Sequence, residues 1–270
     1  MSFVAHCASY CKVSTIKNMA AANCNNRSLR SVPNTLRDDL KIFDISYNHI
    51  SRITSDSFKL YPLLHELRMT YNKIKFIEKN AFNGLAFLSI LDLSNNELKD
   101  VPYDCLALLK SLSELKLDGN PIKLINPNFL ELLQNLTELS LENCSLTHLE
   151  VDFFKNFNRL KSLNLAGNKL VTLNKDILPY LTKSEISFLK LNRNMWKCDC
   201  EMKWLRAWLV AAPTVWIDNE GGPTCQTGVQ QVINRHWRDL KAEQFVCPLT
   251  IIAVGWLRDF LKFLSVNYVL

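Results

Sequence analysis

Glycine is scarce in this chain, seven residues in 270, and none of them stand in a G-x-x-x-x-G-K-[ST] or dinucleotide-type arrangement. No backbone cradle for phosphates is on offer. The five histidines, His6, His49, His65, His148 and His236, show neither an H-E-x-x-H pairing nor any paired-ligand spacing, and none sits in a nucleophile motif. An enzyme is therefore not expected, nor a cofactor or a metal. No Gly/Ser linker and no low-complexity tract divides the chain, so a single folded unit is expected. Met1 to Tyr10 has no basic segment and no apolar run of signal-peptide length. That absence reads as an incomplete N-terminus or a mis-assigned first exon, and not as cytosolic residence, because the cysteine usage described below argues the other way.

Leucine, by contrast, recurs at a fixed pitch. Leu40, Leu64, Leu88, Leu112, Leu136 and Leu160 are each 24 residues apart, and each opens the phrase L-x-x-L-x-L-x-x-N-x-L, with apolar swaps and, in the copy at Leu136, a cysteine at the asparagine position. Leu88-x-x-Leu91-x-Leu93-x-x-Asn96-x-Leu98 is the cleanest copy. This is the leucine-rich-repeat pattern. Each coil makes one short strand, turns, and returns along the outside, so its apolar edge can be buried only against the coils above and below. Two further columns keep the same pitch: Ile53, Ile77, Val101, Ile125, Leu149, Leu173, and Phe58, Phe82, Leu106, Leu130, Phe154, Leu178. The asparagine position runs Asn48, Asn72, Asn96, Asn120, Cys144, Asn168, Asn194, where a buried amide can bond backbone groups that the turn leaves unpaired. The fold class expected is α/β, a right-handed leucine-rich-repeat solenoid or horseshoe with a parallel concave sheet.

A seventh copy, Ile186-x-x-Leu189-x-Leu191-x-x-Asn194-x-Trp196, arrives after 26 residues, so the array is ending and its exposed cross-section must be covered. Trp196, Cys198, Cys200, a short amphipathic helix bearing Trp204-Leu205 and Trp208-Leu209, then Cys225 and Cys247 are suited to do so. This arrangement resembles the cysteine-rich C-terminal flanking domain of extracellular leucine-rich-repeat proteins such as Slit, the Toll-like receptors and the neural adhesion receptors. The resemblance implies Cys198 paired with Cys225 and Cys200 with Cys247. A zinc site is the structural alternative, disfavoured because Cys-x-Cys lacks the usual knuckle loop and the second pair is too far apart. At the other end, Cys24-Asn25-Asn26-Arg27-Ser28-Leu29-Arg30-Ser31-Val32-Pro33 resembles the family's N-terminal flank, which implies Cys11 with Cys24 and leaves Cys7 over. The expected division is an atypical N-terminal cap at 1–36, seven repeats at 37–195, the cysteine-rich cap at 196–248 and an apolar tail at 249–270.

Nine cysteines and three N-x-S/T sequons, at Asn26, Asn135 and Asn143, fit the secretory pathway and an extracellular or cell-surface location. Asn135, directly before a strand, is the expected glycosylation site. The tail is long enough to span a bilayer. Its twelve Leu, Ile, Val and Phe residues contribute about −4 to −7 kcal/mol, but Arg258 and Asp259 cost roughly +5 to +7 kcal/mol and Lys262 adds more. A spanning helix and an interfacial amphipathic helix both stay open, the second because Arg258, Asp259, Lys262 and Ser265 share one stripe. Basic residues of cap and tail, among them Lys197, Lys203 and Arg206, add a weak attraction to acidic surfaces.

Recognition is expected on the concave face, because a repeat scaffold offers a broad curved sheet and no deep pocket. Its outward positions include Glu66, Arg68, Tyr71, Ile90, Asp92, Glu114, Lys116, Asp118, Glu138 and Glu142. Six acids against two bases, in a chain of net charge +6, favour a basic protein ligand and disfavour nucleic acid. The bulky candidates for anchors are Ile42, Tyr47, Tyr71, Ile90 and Phe188. An extracellular protein-recognition module, as the ectodomain of an adhesion or signalling receptor, is the function expected. A secreted matrix or scaffold protein without a signalling role is the alternative.

Overall fold

Alternation along a three-residue strand sends the middle residue into the core and its neighbours to the concave surface. Leu67, Leu91, Leu115, Leu139 and Leu163 are accordingly buried. The computed structural model describes residues 11–155, 159–211, 223–228 and 230–247. Its main sheet opens with an antiparallel hairpin, β1 (Lys12–Ile16) and β2 (Met19–Asn23). The repeats then contribute β3 (Ile42–Asp44) and, after a short flanking strand β4 (Arg52–Ile53), β5 (Glu66–Arg68). A second flanking strand, β6 (Phe76–Ile77), pairs in parallel with β4. The array continues through β7 (Ile90–Asp92), β8 (Glu114–Lys116), β9 (Glu138–Ser140), β10 (Ser162–Asn164) and β11 (Phe188–Lys190). Among the described residues the main sheet has nine strands, in the order β1-β2-β3-β5-β7-β8-β9-β10-β11, parallel from β2 onward.

The outer returns are tight. Two short α-helices, α1 (Tyr103–Leu106) and α2 (Leu178–Lys183), bracket 3-10 turns at Pro127–Leu132, Val151–Phe154 and Lys175–Ile177. A 24-residue coil leaves little chain for anything longer once strand and turn are made.

Beneath the turn runs the asparagine ladder. Asn96 shows its working: its amide donates to the carbonyls of Met69 (2.9 Å) and Leu93 (2.9 Å), and its Oδ1 accepts the N–H of Ile74 (3.0 Å). Asn72, Asn120 and Asn168 repeat the scheme one coil before, one after and three after. Cys144 keeps only half of it. Its thiol reaches the Leu117 carbonyl at 3.4 Å, but it has no amide oxygen to accept from Ile122, whose N–H turns back to the Asn120 carbonyl instead (2.8 Å). Burial pushes the thiols of Cys144 and Cys105 up to about 12, so neither is a nucleophile at neutral pH.

Immediately before each ladder residue the chain enters the left-handed region, at Tyr47, Tyr71, Asn95, Gly119, Asn143, Gly167 and Arg193. Such a conformation costs an ordinary L-residue about 1–2 kcal/mol. Glycine avoids the penalty, and at two places a larger residue would also have to displace a neighbouring asparagine side chain. A Cβ on Gly119 would lie 2.5 Å from Asn95 Oδ1, and one on Gly167 would overlap Asn143 Oδ1.

Trp196 ends the array. It replaces the leucine or isoleucine of earlier coils, is fully buried, donates from its ring nitrogen to the Leu191 carbonyl (2.8 Å) and packs on Trp237 at 5.7 Å between ring centroids. Behind it, α3 (Lys203–Ala211) buries Leu205 and Leu209, with Trp204 and Trp208 half-buried against the same core. The strands β12 (Lys197–Cys198) and β13 (Thr227–Gly228) form a two-stranded parallel pair. Disulfides join Cys198 to Cys225, Cys200 to Cys247 and, at the opposite end, Cys11 to Cys24. Cys7 and the tail 249–270 lie outside the described residues.

Candidate functional site

Parallel register lines up the outward residues of successive coils into rows across the concave face. One row reads Ile42, Glu66, Ile90, Glu114, Glu138, and the next reads Asp44, Arg68, Asp92, Lys116, Ser140. In the second row, acid and base alternate through four coils. The acidic patch foreseen from composition is therefore partly self-neutralised. Glu66 pairs with Arg68, and Glu114 with Lys116. Glu114 is the main cause of the raised Lys116 pKa, with Asp92 and Glu138 adding to it. Glu142 is bridged by Arg193 from two coils away and also accepts from the Asn164 amide (2.8 Å). Asp118 is half-buried, and desolvation raises its pKa, although the Ser140 hydroxyl and the Glu142 N–H (2.7 Å) favour its charged form. Asp44, Asp92 and Glu138 have no ion-pair partner among the described residues.

These rows frame a shallow depression of about 380 Å³ near the N-terminal end of the face. It collects Glu66, Arg68, Ile90, Asp92, Glu114 and Lys116 from the positions read in sequence, and adds Asp44 and Ser46. Asp44 was legible as the residue one pitch before Arg68, but the first coil's acids did not enter the sequence reading. Asp118, Glu138 and Glu142 lie outside the depression, toward the C-terminal coils. Tyr71 sits on the turn rather than on the strand and stacks on Tyr47. Ile90 is half-buried between Glu66 and Glu114, and Phe188 stands on the last strand with the Lys190 ammonium over its ring at 5.6 Å.

A larger groove of about 1190 Å³ lies on the flank, lined by Phe76, Tyr103, Leu124, Lys75, Lys99 and His148 among others. Sequence reasoning missed it because those residues follow the ladder asparagines, outside the strand phrase. At the cap, Cys200, Glu201 and Cys247 place donor atoms within 4.8 Å of one another. The two sulfurs are joined to each other, so they cannot act as thiolate ligands. Two of the cap's basic residues are engaged internally: Arg206 donates to the Leu240 carbonyl (2.6 Å) and Lys197 pairs with Asp199 (2.8 Å).

The sequons all carry exposed asparagines. Asn135 donates to the Lys110 carbonyl (2.8 Å) and accepts from Arg159 (2.8 Å). A glycosylated amide retains one N–H, which suffices for the first bond. Asn26 and Asn143 occupy left-handed turns.

Comparison with known proteins agrees with this geometry. A family model described as leucine rich repeat matches residues 62–122 and 134–195. Leucine-rich repeat-containing protein 3 of Danio rerio is 33% identical over 80 residues, 30% of this chain and 30% of that protein. Leucine-rich repeat-containing G-protein coupled receptor 4 of Bos taurus is 38% identical over 55 residues, 20% of this chain and 6% of that receptor. The aligned stretches span under a third of these curated relatives. The crystal structure of human 5T4 (trophoblast glycoprotein, Wnt-activated inhibitory factor 1) superposes with a TM-score of 0.69 at 24% identity, covering 90% of this chain and 100% of that one, a likeness in fold. The repeats, the ladder and the disulfide-bonded cap make this chain a leucine-rich-repeat solenoid, a module of the protein-interaction type.

Proposed function

We propose that the chain acts at or outside the cell surface as the recognition ectodomain of an adhesion or signalling receptor, with its protein ligand seated on the concave face. The observation that carries this reading is the depression at the N-terminal coils, where Asp44, Asp92 and the half-buried Ile90 stand together on a sheet held rigid by the ladder. An apolar anchor ringed by polar and charged groups is the usual composition of a binding hot spot. The location is supported by three disulfides, which persist in oxidising compartments, and by exposed sequons available for glycosylation. The receptor half is supported by the likeness to a protein whose name is that of a receptor. Uncompensated acids on the face suit a basic ligand surface, and oppose nucleic acid there. Membrane association through 249–270 belongs to the same proposal.

The test is to tetramerise the full chain and screen it against arrayed extracellular and cell-surface proteins, with Asp92→Lys and Ile90→Asp beside the control Lys59→Glu on the outer return. At least one partner should bind more than tenfold less tightly to both concave variants, about 1.4 kcal/mol or more, and equally well to the control. If every partner found is indifferent to both concave changes, recognition lies elsewhere.

A further inference from the structure

The left-handed column gives its first two places to residues poorly suited to them. Asparagine or glycine fills four of the seven, whereas Tyr47 and Tyr71 hold φ of 56° and 51° under bulky side chains. An aromatic residue kept in that region calls for an explanation in packing or in function. Packing does not supply one: the two residues are 55% and 50% exposed and take no part in the core. Instead they stack on each other, centroids 4.6 Å apart and planes 10° apart, at the rim of the concave face. Their backbones are fixed by inter-coil bonds from Tyr47 N–H to Thr70 (2.8 Å) and from Tyr71 N–H to Ser94 (3.1 Å), so the stack is presented on a rigid base.

Tyr47 also walls the shallow depression, whose charged lining is Asp44, Glu66, Asp92 and Glu114 against Arg68 and Lys116, a net −2. Arg68 is paired with Glu66. Asp44 accepts from the Asn25 amide (2.9 Å) and the Ser46 N–H (3.0 Å), and Asp92 from the Ser94 N–H (2.9 Å), so both carboxylates keep acceptor capacity toward solvent. We infer that the Tyr47–Tyr71 stack, together with Asp44 and Asp92, is the receptor site for an arginine side chain of the protein ligand. A guanidinium is planar, lies flat on an aromatic face and offers a fork of donors to carboxylates, which matches the two chemistries set side by side here. The inference rests on the concave-face reading above and specifies what that face holds.

The experiment titrates the full chain, carrying ring-labelled tyrosine, with the peptides acetyl-Gly-Gly-Arg-Gly-Gly-amide and its lysine and citrulline counterparts, following the tyrosine resonances by NMR. The signals lost in Tyr47→Asn and Tyr71→Asn identify the pair. Arginine peptide should shift both signals saturably, lysine less, and citrulline, equal in shape but uncharged, not at all. Each asparagine variant should bind arginine peptide roughly two- to fivefold more weakly, Tyr→Phe at both places should retain binding, and the asparagine variants should melt no lower than the parent. Equal binding by the citrulline peptide, or unchanged arginine binding in both asparagine variants, overturns the inference. So does a lowered melting point with binding retained, which makes the pair structural. If Asp92→Lys abolishes protein recognition while arginine peptide leaves both tyrosines unmoved, this inference falls and the recognition reading stands. If the peptide binds as described and protein partners ignore the concave face, the reverse holds.

Discussion

The repeat array and the C-terminal cap solve the same burial problem by different means. In the array each coil is covered by copies of itself, and among the described residues the two cysteines within it, Cys105 and Cys144, stay unbridged and buried. The cap has no next copy. Among the described residues its regular structure amounts to the nine-residue α3, the two-residue strands β12 and β13 and short 3-10 turns, and two disulfides tie it together. Where packing repeats by translation, neighbours suffice; where translation stops, covalent crosslinks stand in for the missing neighbour.

Removing a crosslink should strain that contrast most. Cys198→Ser with Cys225→Ser is expected to cost about 2–5 kcal/mol in denaturant unfolding, with amide exchange accelerating around Trp196 and Leu191 far more than around Leu67. Uniform acceleration through the array would show that cap and repeats unfold as one and that the distinction has no energetic content. Within the array, Asn96→Ala strands the carbonyls of Met69 and Leu93 and the N–H of Ile74, and should cost about 2–4 kcal/mol. A loss below 0.5 kcal/mol, taken as an order-of-magnitude threshold of about one weak hydrogen bond, would mean that the ladder is ornament and the leucine columns suffice. The smallest effect has the opposite sign. Cys144→Asn should restore the acceptor for Ile122 and stabilise by about 1 kcal/mol, raising the melting temperature by roughly 2–4 °C; a lower melting point would show that the thiol was chosen for volume.

How much of this was legible depended on whether a property repeats. The 24-residue pitch exposes the core columns and the ladder because burial there is the same question asked in every coil, and Leu67, Leu91 and Leu115 answer it identically. The break in pitch ahead of Trp196 was legible too. Less so was the state of the acidic face. Glu66 pairs with Arg68, two residues along the same strand, and Glu142 with Arg193, two coils away, and side-chain reach decides such pairs rather than spacing. The left-handed turn was hidden by its own variety, since Tyr47, Tyr71 and Arg193 carry none of the usual turn signals and only the backbone reveals that they share a conformation with Gly119. The flank groove escaped because its exposed walls, such as Phe76, Tyr103 and Leu124, change in kind from coil to coil even where the column Ile77, Val101, Ile125 beneath them repeats.

The in-register stacking of β3, β5 and β7 through β11 bears on how such a chain can change length. Strand pairing joins each residue to its counterpart one pitch later, as Leu67 faces Leu91 and Leu115. Duplication or loss of one whole coil would leave every row in phase and simply lengthen or shorten the curved surface. Insertion of a single residue into a strand would turn its apolar side outward and break the array at that point. Growth by whole units is therefore the cheap route to a new surface, and the two extra residues before Trp196 are tolerated where they fall because the stack has one rung left to make.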